Sequence, residues 1–167
     1  MSILTNLKGA ERQKKAQART DLANAKYQTQ MDLKVFAACR KMMRQEIPQL
    51  NGRKVNGETI MVKHINRGWK ITTTGYGYDP ERTLELTLDV FTGSFRPADD
   101  CPEQDYRSVG IRIKWWRRGQ GCTSEEMSDS VTIETGALDW DKEIQKKRKE
   151  FRDSLTNHIK RCVGLND

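Results

Sequence analysis

Residues Arg107 to Arg118 read Arg-Ser-Val-Gly-Ile-Arg-Ile-Lys-Trp-Trp-Arg-Arg. Val109, Ile111, Ile113 and Trp115 alternate with Gly110, Arg112, Lys114 and Trp116. That is the two-residue period of a strand with one dry face and one wet face. A helix would scatter the four apolar residues around its circumference. The stretch is therefore a strand, and it runs out into Trp116-Arg117-Arg118, a cationic aromatic end that its buried face does not require.

Neighbouring segments repeat the pattern. Arg82 to Phe91 sets Leu84, Leu86, Leu88 and Val90 against Glu85, Thr87 and Asp89. Glu58 to Ile65 and Trp69 to Thr74 flank Asn66-Arg67-Gly68, a hairpin-sized turn, and Ser130 to Thr135 is a shorter fifth candidate. Alternation throughout predicts a five-stranded antiparallel sheet with one buried face. On the wet face Glu85 and Asp89 should meet Arg112 and Lys114. Such exposed pairs fix register and contribute only about 0.2–1 kcal/mol each.

Helical periodicity brackets the strands. Ser2 to Ile47 reads as one long helix, or a short turn and a long helix, in two chemically different halves. Met31, Val35, Phe36, Cys39, Met42, Met43 and Ile47 keep to one face, with Lys34, Arg40, Lys41 and Arg44 around the rest. Pro48 limits that helix. Lys8 to Gln30 offers alanines, Leu22 and Tyr27 among Lys8, Arg12, Lys14, Lys15, Arg19 and Lys26, good helix formers without a core to hold them. Isolated helices of that length are marginal in water, so an ordered arm calls for a partner. Gln49 to Gly57, with Asn51-Gly52 and Asn56-Gly57, is a turn-rich connection. A second helix, Asp139 to Val163, carries Trp140, Ile144, Phe151, Leu155, Ile159 and Cys162 on its apolar stripe, with Asp139 as N-cap and Gly164 as C-terminal cap. The predicted fold is α+β: a five-stranded antiparallel sheet with one face covered by the long N-terminal helix and the C-terminal helix. Residues 1–30 form a basic helical arm and residues 31–167 a single α+β domain.

Of 167 residues 35% are hydrophobic and 32% charged, so the core is small relative to the surface. A net charge of +7 favours an acidic partner such as nucleic acid. Residues 1–48 carry ten basic and four acidic side chains, 49–70 five and one, 71–137 seven and twelve, and 138–167 eight and six. The helices and first turns thus hold the excess positive charge. No secretory leader and no apolar run of about 20 residues is visible, and the four widely spaced cysteines include no CxxC pair. A soluble chain in a reducing, cytoplasmic compartment is expected, with no membrane partner.

Up-and-down connectivity places successive turns at alternate sheet ends. One end should gather Arg53, Lys54, Tyr76, Tyr78, Trp116, Arg117 and Arg118. The other should gather Arg67, the acidic Thr92–Tyr106 loop with Asp99, Asp100, Glu103 and Asp105, and the helix start with Asp139 and Asp141. Arginines interleaved with aromatics suit a single strand of nucleic acid: cations neutralise phosphates and rings stack on bases at about 1–3 kcal/mol each. The same composition marks protein-interface hot spots.

Catalytic and metal chemistry finds little support. His158 and Cys162 lie one helical turn apart, half of a zinc site, but Cys101 and Cys122 fall on loops at opposite sheet ends. Asp89 and Lys114 read as neighbours, yet the position two before the lysine is Arg112 and not the acid a metal-dependent nuclease needs. No serine or cysteine stands in a nucleophile elbow. Gly119-Gln120-Gly121 lacks the lysine and helix of a phosphate loop and reads as a mobile loop. The expectation is a non-enzymatic protein without cofactor or metal. It docks on nucleic acid or a nucleoprotein complex through the arm (Arg12, Lys14, Lys15, Arg19) and the Arg-aromatic sheet end. The alternative is a structural or adaptor subunit, such as a virion component or a small inhibitor of a host complex. Its arm would pack on protein or on a second copy. A pocket lined by Met42, Met43 and Trp69 is a third reading, against the simpler one that they fill the core.

Overall fold

The structure is a computed structural model that describes residues 3–73, 82–98, 102–119, 122–133 and 139–165, with side chains described for 9–73, 82–98, 102–116, 129–133 and 139–165. The chain divides into two compact units, residues 1–34 and 35–167. Helix α1 (Ile3–Glu46) contributes to both.

Within the first unit every side chain from Gly9 to Tyr27 is exposed. Local bonds serve the polar groups there. Lys15 pairs with Glu11 at 2.7 Å, Gln17 donates to Asp21 at 2.8 Å, and the Thr20 and Thr29 hydroxyls bond back to the Ala16 and Ala25 carbonyls.

The second unit begins with the apolar stripe. Val35, Cys39, Met42, Met43 and Ile47 lose essentially all solvent contact. Pro48 has no N–H to extend the helix and starts a single 3-10 turn, Pro48–Leu50. Six antiparallel strands follow: β1 (Lys54–Val55), β2 (Glu58–Ile65), β3 (Gly68–Thr73), β4 (Arg82–Phe95), β5 (Gln104–Gly119) and β6 (Cys122–Ile133), paired in chain order. Helix α2 (Trp140–Cys162) closes the chain, its N-terminus capped by Asp139, which accepts from the Lys142 N–H at 3.1 Å. At its other end Gly164 takes φ 73°, and the Leu165 N–H reaches the Lys160 carbonyl at 2.8 Å, a Schellman-type stop.

The sheet has six strands where the sequence predicts five. The addition is β1, too short to show a period. Asn56 and Gly57 take φ 51° and 80°, the doubly left-handed turn of a two-residue hairpin joining it to β2. The predicted loop carrying Cys122 is also corrected. Cys122 pairs with Gly119, so β6 starts eight residues before the predicted Ser130. That segment has few apolar residues to alternate; the backbone ladder with β5 holds it instead. A register shift puts Trp115 opposite Met127 and Trp116 opposite Glu125, leaving Glu126 as the additional residue of a bulge.

Register explains the core. His64, Trp69, Leu86, Ile113 and Asp129 form one cross-sheet row, and Leu88, Ile111 and Val131 another. Residues 35–47 and Phe151, Leu155 and Cys162 of α2 seal this dry face. On the wet face Arg112 meets Asp89 at 2.6 Å and Lys114 stands opposite Glu85, as the pattern predicts. Asp89 itself faces Gly110, so it is not the cross-strand neighbour of Lys114.

One polar residue on the dry face is Asp129. Its Oδ2 accepts from the Ser154 hydroxyl at 2.5 Å and lies 3.3 Å from His158 Nε2. Burial alone would raise its carboxyl, but hydrogen bonds from Ser154, the Ser130 N–H and His158 outweigh this and hold it below the usual range. A depressed folded-state value stabilises above the unfolded one, near 3.9, and that contribution is lost as pH falls through the folded value. Asp129→Asn should therefore lower the urea midpoint at neutral pH, with the gap to the parent protein closing in acid. A gap independent of pH would contradict this.

Candidate nucleic-acid interface

The strand order puts the β1–β2 turn, the β3–β4 connection and the β5–β6 hairpin at one end of the sheet. The row Ile60, Thr73, Arg82, Arg117 and Ser124 marks that end, and Lys54 sits one step beyond it, opposite Thr59. Lys54 and Arg117 are four strand spacings apart, about 19 Å along the sheet. The backbones of Arg53, Lys54, Arg117 and Arg118 thus share a rim rather than a single cluster. Arg53 and Lys54 are exposed, and the Arg53 guanidinium bonds the Gln49 carbonyl at 3.4 Å. The side chains of Arg117 and Arg118, and Tyr76 and Tyr78 altogether, lie outside the described residues.

Trp116 lies on the wet face, half-buried, with the Lys114 ammonium 5.6 Å from its ring centroid and no acceptor for its indole N–H among the described residues. One further cation at this end, not singled out by the sequence, turns inward. Arg82 donates to the Arg161 and Cys162 carbonyls, both at 2.9 Å, where a helix C-terminus attracts positive charge. Asn56 reaches the Val163 carbonyl at 2.7 Å and completes the cap. The α2 terminus is therefore built into this rim.

The two groups spaced for half a zinc site have protein partners. His158 faces Asp129, and Cys162 Sγ accepts from the Trp115 indole N–H at 2.9 Å. Among the described residues no three His, Cys, Asp or Glu side chains converge as metal ligands would. Cys101 lies outside the described residues, while Cys122 stands on β6 rather than on a loop.

The arm's cations are differently placed. Arg12, Lys15, Arg19 and Lys26 recur at intervals of three, four and seven residues, so the helix brings them to one face over roughly 21 Å. Lys14 sits off this stripe. Gln13, Lys14, Gln17, Asp21 and Asn24 occupy the opposite side, which carries one charge of each sign. Arg12, Lys14, Arg19 and Lys26 have no acidic partner among the described residues.

A second cationic site escaped the sequence reading. The β2–β3 turn carries Arg67, expected among the carboxylates of the other sheet end. It joins Arg40, Arg44, Met43, His64, Asn66, Gly68 and Trp69 around a half-open cleft of about 250 Å³. Its lining contains no carboxylate. Arg67 adopts φ 64°, a left-handed conformation costing a non-glycine residue about 1–2 kcal/mol. Next to it Gly68 lies so close to the Leu86 carbonyl of β4 that a Cβ would collide with it. His64 and Trp69 contact edge to face, their centroids 4.9 Å apart.

Comparison with known proteins returns no matching family model, no similar curated protein and no similar solved structure. No helix among the described residues is long and apolar enough to cross a membrane.

Burial sets the thiol chemistry. It pushes the Cys39 thiol up to about 12; for Cys162 it prevails over the Trp115 hydrogen bond and the Arg82 charge, giving about 11. Only thiolates alkylate quickly, so at about pH 8 both should resist iodoacetamide until denaturant is added. Mass spectrometry locates the adducts, and rapid native labelling at either position would contradict the packing described.

Proposed function

We propose that the chain is a non-enzymatic binding protein that docks on nucleic acid, alone or within a nucleoprotein complex. The arm and the Arg-aromatic sheet end make the contact. One observation carries the reading: from Gly9 to Tyr27 the arm is helical, exposed on every side, and basic along one face. A helix without an apolar stripe gains nothing from a core, and four aligned cations suit a polyanion. Arg53, Lys54, Trp116, Arg117 and Arg118 on the sheet rim, with Tyr76 and Tyr78 of the segment between β3 and β4, would supply a second set of contacts.

Fluorescence anisotropy on labelled single- and double-stranded oligonucleotides tests this. Replacing Arg12, Lys15, Arg19 and Lys26 by glutamine should weaken binding and reduce the slope of log affinity against log salt by about three. Arg117→Gln with Arg118→Gln should lower both by a smaller amount. Affinity and slope unchanged in both variants would remove the proposal.

The adaptor reading retains one observation in its favour, since Leu22 and Tyr27 of the arm are each about 60% exposed. In that case light scattering finds an oligomer without nucleic acid, and removing residues 1–30 returns a monomer.

A further inference from the structure

The cleft between the last turns of α1 and the β2–β3 turn lies outside the interface proposed above and within the second unit alone. Arg40 and Arg44 are one helical turn apart and share a face, while Arg67 approaches from the turn. Three guanidinium groups around one small cleft repel each other. None of the three has an acidic partner among the described residues, and no carboxylate lines the cleft. The end of α1 explains a basic residue at position 44, because cations offset the helix dipole. It does not explain Arg67, held in a left-handed conformation although a glycine stands next to it.

Beside the arginines stand two rings and an amide. Trp69 is half-buried against the core, His64 contacts it at a right angle, and Asn66 supplies a donor and an acceptor. Planar guanidinium forks match phosphate oxygens in pairs, and a tryptophan edge or face takes a flat ring. The cleft volume, about 250 Å³, falls below the roughly 300–1,000 Å³ of sites for larger ligands. It suits one phosphate and one ring system.

We propose that this cleft binds a nucleotide phosphate monoester, with the phosphate on Arg40, Arg44 and Arg67 and the base against Trp69 and His64. The ligand is a mononucleotide or the phosphorylated 5′ end of a strand, two sources of the same chemistry. Binding here needs none of the arm cations, so it stands or falls separately from the proposed function.

Calorimetric titration of the full chain with adenosine monophosphate, adenosine and inorganic phosphate tests the cleft. Adenosine monophosphate should bind at least about tenfold more tightly than either fragment, since phosphate and ring are both recognised. Arg67→Asn, a residue tolerant of the left-handed turn, and the pair Arg40→Gln with Arg44→Gln should each weaken it roughly ten- to a hundredfold. Thermal unfolding of these exposed-site variants should stay close to that of the parent. In the background of the four arm substitutions, a 5′-phosphorylated oligonucleotide that outcompetes the mononucleotide while its 5′-hydroxyl counterpart does not identifies the strand end. Competition by the mononucleotide alone identifies the free ligand. No binding of adenosine monophosphate, equal binding by the arginine variants, or inorganic phosphate binding as tightly as the nucleotide would overturn the proposal.

Discussion

The ladder between β4 and β5, from Arg82 opposite Arg117 to Phe95 opposite Gln104, is the constraint on which the rest of the second unit depends. Side chains alternate along a strand, so this one register sends Leu84, Leu86, Leu88, Val109, Ile111 and Ile113 to the dry face together. A slip by one residue would bury Glu85, Arg112 and Lys114. The Arg112–Asp89 pair reinforces the register without supplying much stability. Helices α1 and α2 then have one apolar surface to cover. Their covering positions the Arg82 cap, the Asp129–Ser154–His158 cluster and the arginine cleft.

Cations in this chain do unequal work. Arg82, Arg112 and Arg152 have intramolecular partners: helix carbonyls for the first, Asp89 for the second and Glu46 at 2.6 Å for the third. The first and third tie α2 to the sheet end and to the end of α1. Arg12, Arg19 and Lys26 on the arm, and Arg40, Arg44 and Arg67 around the cleft, have no acidic partner among the described residues. Positive charge left over after the fold has used what it needs is charge available for a ligand, and it occurs in two distinct arrangements. A linear stripe suits a polymer; a concave group around two rings suits a single phosphate-bearing unit.

The strong alternation of Leu84 to Val90 and Val109 to Trp115 made the central strands legible from residue types alone, and Asp139 and Gly164 gave α2 its ends. Two residues, Lys54 and Val55, carry no period, so β1 was hidden. Cys122 to Ser130 was hidden for another reason: its serines and acids resemble a loop, and only pairing with β5 makes it a strand. The backbones of Lys54, Arg117 and Arg118 fall at one sheet end, as the reading placed them, because strand order followed chain order. Their separation across four strands was not visible. The cleft was missed because Arg40 and Arg67 lie far apart in sequence and meet only when α1 docks across the β2–β3 turn. A partial signal existed in Met43 and Trp69, which suggested a pocket, and in an arginine standing where the turn invites glycine.

The proposed docking on nucleic acid depends most heavily on the exposed, basic helical arm. Hydrogen–deuterium exchange of residues 9–27, with and without a saturating oligonucleotide, addresses it directly. Backbone amides of a helix without packing exchange readily, so the account predicts fast exchange in the free protein and marked protection on binding. Protection that is already strong in the free protein, or an arm whose exchange ignores bound oligonucleotide, would contradict it.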